Sequence, residues 1–138
     1  MVLNIDVAPT ILEMAGVPVP AWMQGRSFLP LLEGKQTSWR DAFLYEYYEY
    51  PAEHCAPKNR GIRTAEWKLI HFWEQPEEWE LYDLRKDPDE VKNLFGRRDQ
   101  DTRVRELRSR MENLRRETGD TDPPGPPAAM QPCLKIIG

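Results

Sequence analysis

The sequence predicts an α+β fold: a small antiparallel sheet of about four strands packed with an amphipathic C-terminal helix, plus a separate N-terminal helix. Three observations carry this. Short β-rich segments follow one another from residue 43 to residue 82, joined by short turns, which is the pattern of an antiparallel sheet. Val104, Leu107, Met111 and Leu114 recur at steps of three and four, which is one stripe of a helix. Near the start, residues 6–15 are bracketed by helix start and stop signals.

In order along the chain, Asp6 is placed to cap a short helix through Ala15, with Ile5, Ala8, Leu12 and Ala15 on one side. Pro9 falls in the first turn, where a missing N–H does no harm, and Gly16 ends the helix. Val17-Pro-Val-Pro20 is an extended connector, because each proline biases its predecessor away from helix. Ser27 to Leu32 supplies one more helical turn, stopped at Gly34. Phe43 to Tyr50 is a strand rich in aromatics, ended by Pro51, and its imperfect alternation implies that both faces are at least half covered. After a loop from Pro51 to Asn59, the remaining strands are expected at about Gly61–Thr64, Trp67–Trp73 and Trp79–Tyr82, with Ala65-Glu66 in a turn. Arg103 to Thr118 is the clearest helix, and Gly119 is its stop. Asp122-Pro-Pro-Gly-Pro-Pro127 opens a proline-rich tail without regular structure.

Composition narrows the function classes. The 138 residues are 40% apolar and 30% charged, an ordinary globular balance with room for a modest core. A net charge of -4 gives no global attraction to nucleic acid or to an anionic membrane. No apolar run approaches the roughly 20 residues that cross a bilayer, and the N-terminus lacks the pattern of a signal peptide. Cys55 and Cys133 are too few for a disulfide framework and lack zinc-ligand spacing.

The chemistry-bearing patterns are few. In His54-Cys-Ala-Pro-Lys-Asn-Arg60 only four residues separate Cys from Arg, and Pro57 removes a donor N–H, so a phosphate cradle is not expected. Asp83, Asp87, Asp89 and Glu90 cluster, but calcium needs several oxygens converging from a fixed loop, and Asp87-Pro88 reads as a turn in which Asp87 accepts local N–H groups. His54 and His71 have no metal-ligating sequence neighbour, so no metal site is expected. Residues 97–117 hold eight arginines against five acids. Pairs such as Arg103–Glu106, Arg108–Glu112 and Glu112–Arg115 are spaced to neutralise one another along the helix, and a solvated paired face is expected rather than a nucleic-acid grip. The loop from Glu53 to Arg63 stands out: His54, Lys58, Arg60 and Arg63 lie between strands, where binding residues concentrate. Arginine suits bidentate recognition of sulfate or carboxylate, so His54, Arg60 and Arg63 are the candidate substrate-binding residues. Structural arginines holding the sheet to acidic neighbours fit the same pattern.

Asn4-Ile-Asp-Val-Ala-Pro-Thr10, Gln24-Gly-Arg-Ser27, Arg63-Thr with Lys68-Leu-Ile70, Glu80-Leu-Tyr-Asp-Leu84 with Asp87-Pro88, and Asn93-Leu94 occur in an order that resembles the C-terminal end of a sulfatase, of the carbohydrate-sulfatase type, within the sulfatase and alkaline phosphatase superfamily. The resemblance covers the chain to about Leu114. It implies that residues 1–40 are the end of a large α/β N-terminal domain and connector, that 41–118 are the C-terminal subdomain, and that 119–138 are a tail with no family counterpart. It implies a parent activity of sulfate-ester hydrolysis by a formylglycine nucleophile with calcium, both in the N-terminal domain. Parents of this kind are often periplasmic or secreted. The family signature Cys-x-Pro-x-Arg is missed at Cys55, where the arginine comes one residue late, so no catalytic or metal residue transfers to this sequence.

The chain is therefore expected to be scaffold and substrate-cleft rim, inactive alone. Its expected partner is the sulfatase N-terminal domain, or a second copy hiding the same apolar surface. The alternative is a stand-alone binding module for sulfated or acidic glycans.

Overall fold

The computed structural model describes residues 1–35, 38–48, 57–74 and 76–120. The chain divides into two compact units, Met1–Asp41 and Ala42–Gly138.

In the first unit a 3-10 turn, Asn4–Asp6, leads into α1, Val7–Met14, and a short α2, Leu29–Leu32, follows. Gly16 and Gly34 sit just beyond these helices at φ 70, the left-handed conformation that ends helices without a Cβ penalty. Asp6 differs from expectation. It makes no side-chain cap bond to α1. Its fully buried carboxylate instead accepts the N–H of Leu3 at 2.8 Å, the N–H of Arg26 at 2.9 Å and two bonds from the Arg40 guanidinium. Burial alone would make a carboxylate costly; three sets of donors offset that. Thr10 extends the tie: its hydroxyl donates to the Asp6 carbonyl at 2.6 Å and accepts the N–H of Phe28 at 3.0 Å. Gly25 is there because nothing larger fits, since a Cβ would lie 1.8 Å from the Ile5 carbonyl oxygen.

The second unit is a meander of four antiparallel strands, β1 Ala42–Tyr47, β2 Asn59–Thr64, β3 Trp67–Phe72 and β4 Glu78–Asp83, in spatial order β1-β2-β3-β4. Strand boundaries match or differ from the sequence expectation by up to three residues, the largest difference being at β1, which ends at Tyr47. The remainder of its expected span, residues 49–50, lies outside the described residues, as do the tail from residue 121, Cys55 and Cys133. Thr64 closes the turn between β2 and β3, its hydroxyl accepting the N–H of Trp67 at 2.9 Å. Leu44, Ile62, Leu69 and Leu81 are in register across the sheet. Side chains alternate faces along a strand. That row therefore points one way, and α3, Asp101–Thr118, packs on it through Val104, Leu107 and Met111. Leu107 and Met111 are each 1% exposed, so truncating either to Ala costs about 2–5 kcal/mol. Gly119, at φ 73, ends α3 as expected.

The segment between β4 and α3 is held by side chains as much as by backbone. Asp87 accepts the N–H groups of Val91 and Lys92 at 3.1 and 2.8 Å, as its Asp-Pro turn implied. Asn93 accepts the N–H of Leu81 at 3.0 Å and of Phe95 at 2.9 Å, and donates to the Trp79 carbonyl at 3.1 Å. The short motifs Asp87-Pro88 and Asn93-Leu94 are thus the pins that dock this connection onto β4.

Candidate functional site

Next to the core row lies a second row on the same face: Glu46, Arg60, His71 and Trp79, again in register. Here charge and aromatic surface are interleaved. The Arg60 guanidinium is 4.4 Å from the Trp73 ring centroid, and its Nη1 is 3.4 Å from an Asp120 carboxylate oxygen. Asp120 also accepts from Arg115 at 2.5 Å. The two arginines hold its carboxyl below the ordinary range although burial works against them. Arg60 Nε is buried with no hydrogen-bond partner.

The same end of the sheet carries further clamps. Lys58 reaches Glu74 at 3.2 Å, and the Tyr48 and Trp73 rings approach to 5.6 Å between centroids. Asn59 and Tyr47 pair across the strands, so these contacts brace the base of the connection between β1 and β2.

At the other end of this row, His71 stacks on Trp79 at 3.9 Å with the rings 10° from parallel. Glu77 accepts from both, from His71 Nε2 at 2.8 Å and from Trp79 Nε1 at 3.1 Å. Burial, together with the Arg60 and Arg108 cations, pushes the His71 imidazole below its ordinary pKa in spite of Glu77. Arg108 lies 3.8 Å over the Trp79 ring.

Of the candidate residues, Arg60 and Arg63 leave opposite faces of β2. Arg60 is 2% exposed and shares the α3 face of the sheet, whereas Arg63, three positions along β2, leaves the opposite face and is exposed. Among the described residues the Arg63 side chain makes no hydrogen bond or ion pair. His54 lies outside the described residues. Of the helix pairs read from spacing, Arg103–Glu106 at 2.8 Å and Glu112–Arg115 at 3.2 Å form. Arg108–Glu112 does not, because the indole of Trp79 offers Arg108 a flat surface. Sequence reading missed Trp73, Trp79 and Asp120 as partners; the one available signal was the high aromatic content beside the arginines, which spacing alone could not pair.

Among the described residues, the acid cluster at the end of β4 does not fit a calcium site. The cluster after β4 is committed elsewhere: Asp83 accepts the N–H groups of Arg85 and Lys86 and pairs with the Lys86 ammonium, Asp87 caps its turn, and Glu90 pairs with Lys68. Among the described residues no three His, Cys, Asp or Glu side chains gather to hold a metal ion.

The family described as N-sulphoglucosamine sulphohydrolase, C-terminal, matches residues 1–117. The chain belongs to this sulfatase family. An N-acetylglucosamine-6-O-sulfatase of Bacteroides thetaiotaomicron is 44% identical over 124 residues, 88% of this chain and 22% of that protein. A Delta 4,5-hexuronate-2-O-sulfatase of the same organism is 34% identical over 91 residues, 66% of this chain and 19% of that protein. Among solved structures, one held in complex with its substrate D-glucosamine-2-N,6-O-disulfate superposes with a TM-score of 0.81 at 45% identity, covering 86% of this chain and 24% of that one. This sulfatase chain thus spans about a fifth of the length of the curated relatives it matches. It has the four-stranded sheet, the C-terminal helix and the N-terminal helix that the resemblance implied.

Proposed function

We propose that this chain is the C-terminal part of an enzyme that hydrolyses sulfate esters on carbohydrates, acting as scaffold and substrate-cleft rim and not as the seat of the reaction. The observation that supports this most strongly is the family match across residues 1–117 in a chain that spans only 22% of its N-acetylglucosamine-6-O-sulfatase relative. In this reading residues 1–40 complete the large N-terminal domain, 41–118 are the C-terminal subdomain, and 119–138 are an appended tail. Formylglycine and calcium belong to the N-terminal domain, and this chain contributes no ligand to either.

The rim role falls to the connection between β1 and β2. His54 and Arg63 are the proposed substrate contacts, and Arg60, buried on the α3 face, is proposed to hold β2 beneath Arg63. The first unit supplies the surface for the missing partner: Ile11, Met14 and Trp22 are 59%, 65% and 77% exposed, an apolar face that a soluble protein normally covers. In the isolated chain a second copy would cover the same face.

A chimera tests the reading. Joining this chain to the N-terminal part of the 44%-identical relative should give an enzyme that hydrolyses N-acetylglucosamine 6-sulfate, whereas the chain alone should not. Turnover by the purified chain itself in calcium would overturn the assignment.

A further inference from the structure

Beside Arg108 the surface is hollow. A groove of about 510 Å³ runs between the start of α3 and the segment before it, lined by Phe95, Gly96, Asp101, Val104, Arg105 and Arg108. The Arg108 guanidinium stacks over Trp79, its carbon 3.8 Å from that ring's centroid, with the Phe95 ring 5.6 Å away. Cation–π stacking uses the π-faces of the guanidinium and leaves its N–H edge free. Among the described residues that edge has no hydrogen bond and no carboxylate partner. Glu77, the acid nearest the stack, is committed to His71 and Trp79. Among the described residues Arg105 is occupied by neutral oxygens, the Asp101 carbonyl and the Thr102 hydroxyl, each at 3.3 Å. The groove lining therefore carries two guanidinium charges against the single carboxylate of Asp101, and Arg108 acts on Glu77 only through space.

A solvated surface arginine loses about 2 kcal/mol of rotamer freedom when it grips a ligand. Arg108 has already lost much of that freedom to its stack, so its fork is pre-organised for a planar or tetrahedral oxyanion. Phe95 and Val104 give the same groove an apolar wall, and its volume falls in the range of small-ligand sites. We propose that this groove binds an oxyanion carried on a saccharide, either a sulfate ester or a uronate carboxylate, with Arg108 as the residue that grips it. The saccharide part rests on the function proposed above; the oxyanion part rests on the geometry of Arg108 alone.

The test follows the Trp79 Nε1–H and Arg108 Nε–H signals of the isotope-labelled chain by NMR during titration with glucosamine 6-sulfate, glucuronate, inorganic sulfate and N-acetylglucosamine. Both anionic sugars should shift the two signals saturably, more tightly than sulfate, and the neutral sugar should not. Arg108→Lys keeps the charge but loses the fork, and should weaken binding at least about fivefold. Arg108→Gln serves if the lysine variant fails to fold. Binding undiminished in a folded variant, or no saturable shift with any anion, would overturn the site. Equal affinity for sulfate and the anionic sugars would overturn the saccharide assignment. The readout is binding to this chain, so failure of the sulfatase reading in the chimera would show separately.

Discussion

Arg60 lies 3.4 Å from Asp120, joining the start of β2 to the segment just past the end of α3. Their side chains are 3% and 12% exposed, and Asp120 is shared with Arg115. This contact is asymmetric. Removing the carboxylate strands a buried guanidinium, whereas removing Arg60 leaves Asp120 still paired. Asp120→Asn should therefore cost about 3–5 kcal/mol, and Arg60→Met distinctly less. Urea midpoints of the two variants and their double mutant check this. Equal losses would mean that Arg60 is paired in some other way.

Asp6 makes the first unit sensitive to strong acid. Burial raises its pKa, but the Arg40 guanidinium and the N–H groups of Arg26 and Leu3 bring it down from 3.8 to about 2. A depressed folded-state value means that the stabilisation is complete above the unfolded pKa and is lost as pH falls from about 4 through 2, roughly 2 kcal/mol in all. Asp6→Asn should cost about 3 kcal/mol at pH 7, because Arg40 loses its buried counter-charge, and should flatten the acid limb. Chemical denaturation at pH 7, 4 and 2.5, followed through Trp39, reads both.

His71 acts in a milder range. Its folded-state pKa lies below 6.5 through burial, with Arg60 and Arg108 adding to the effect and Glu77 opposing it. The unfolded chain then binds the proton more readily, so stability falls as pH drops below about 6.5. His71→Phe keeps a ring on Trp79 and should remove that component of the pH dependence. Arg108→Gln should raise the His71 pKa by taking away a cation. The chain has two histidines, so an NMR titration with a His54 variant for assignment resolves the shift.

Gly61 is a packing requirement. A Cβ there would meet the Leu69 carbonyl oxygen at 2.5 Å and the Tyr45 ring at 2.6 Å. Gly61→Ala should destabilise by at least about 1–3 kcal/mol. Adding Tyr45→Leu should restore part of this, since a side chain can yield and the Leu69 carbonyl cannot. A double-mutant cycle in urea measures that coupling.

Much of this architecture was legible from residues alone. Glycine stops at Gly16, Gly34 and Gly119, the Asp87 turn and the Val104–Leu107–Met111 stripe depend on local chemistry, and local chemistry is what a sequence displays. The site was legible only in composition. That Arg60 and Arg63 leave opposite faces follows from their odd spacing once β2 is known, but their partners do not. Trp73 and Asp120 lie 13 and 60 positions from Arg60 in the sequence, and only the fold of the sheet and the return of α3 bring them near it. Asp6 shows the same limit: it occupies a cap position by pattern, yet its bonds go to Leu3, Arg26 and Arg40 because the chain folds back over it.

In the function proposed above, this chain shapes a sulfatase without carrying its reaction. The most direct measurement is hydrolysis of N-acetylglucosamine 6-sulfate, with calcium, by the purified chain and by the chimera that joins it to the N-terminal part of the 44%-identical relative. Sulfate release is expected from the folded chimera and none from the chain. Turnover by the chain alone, or a folded chimera that releases no sulfate, would contradict it.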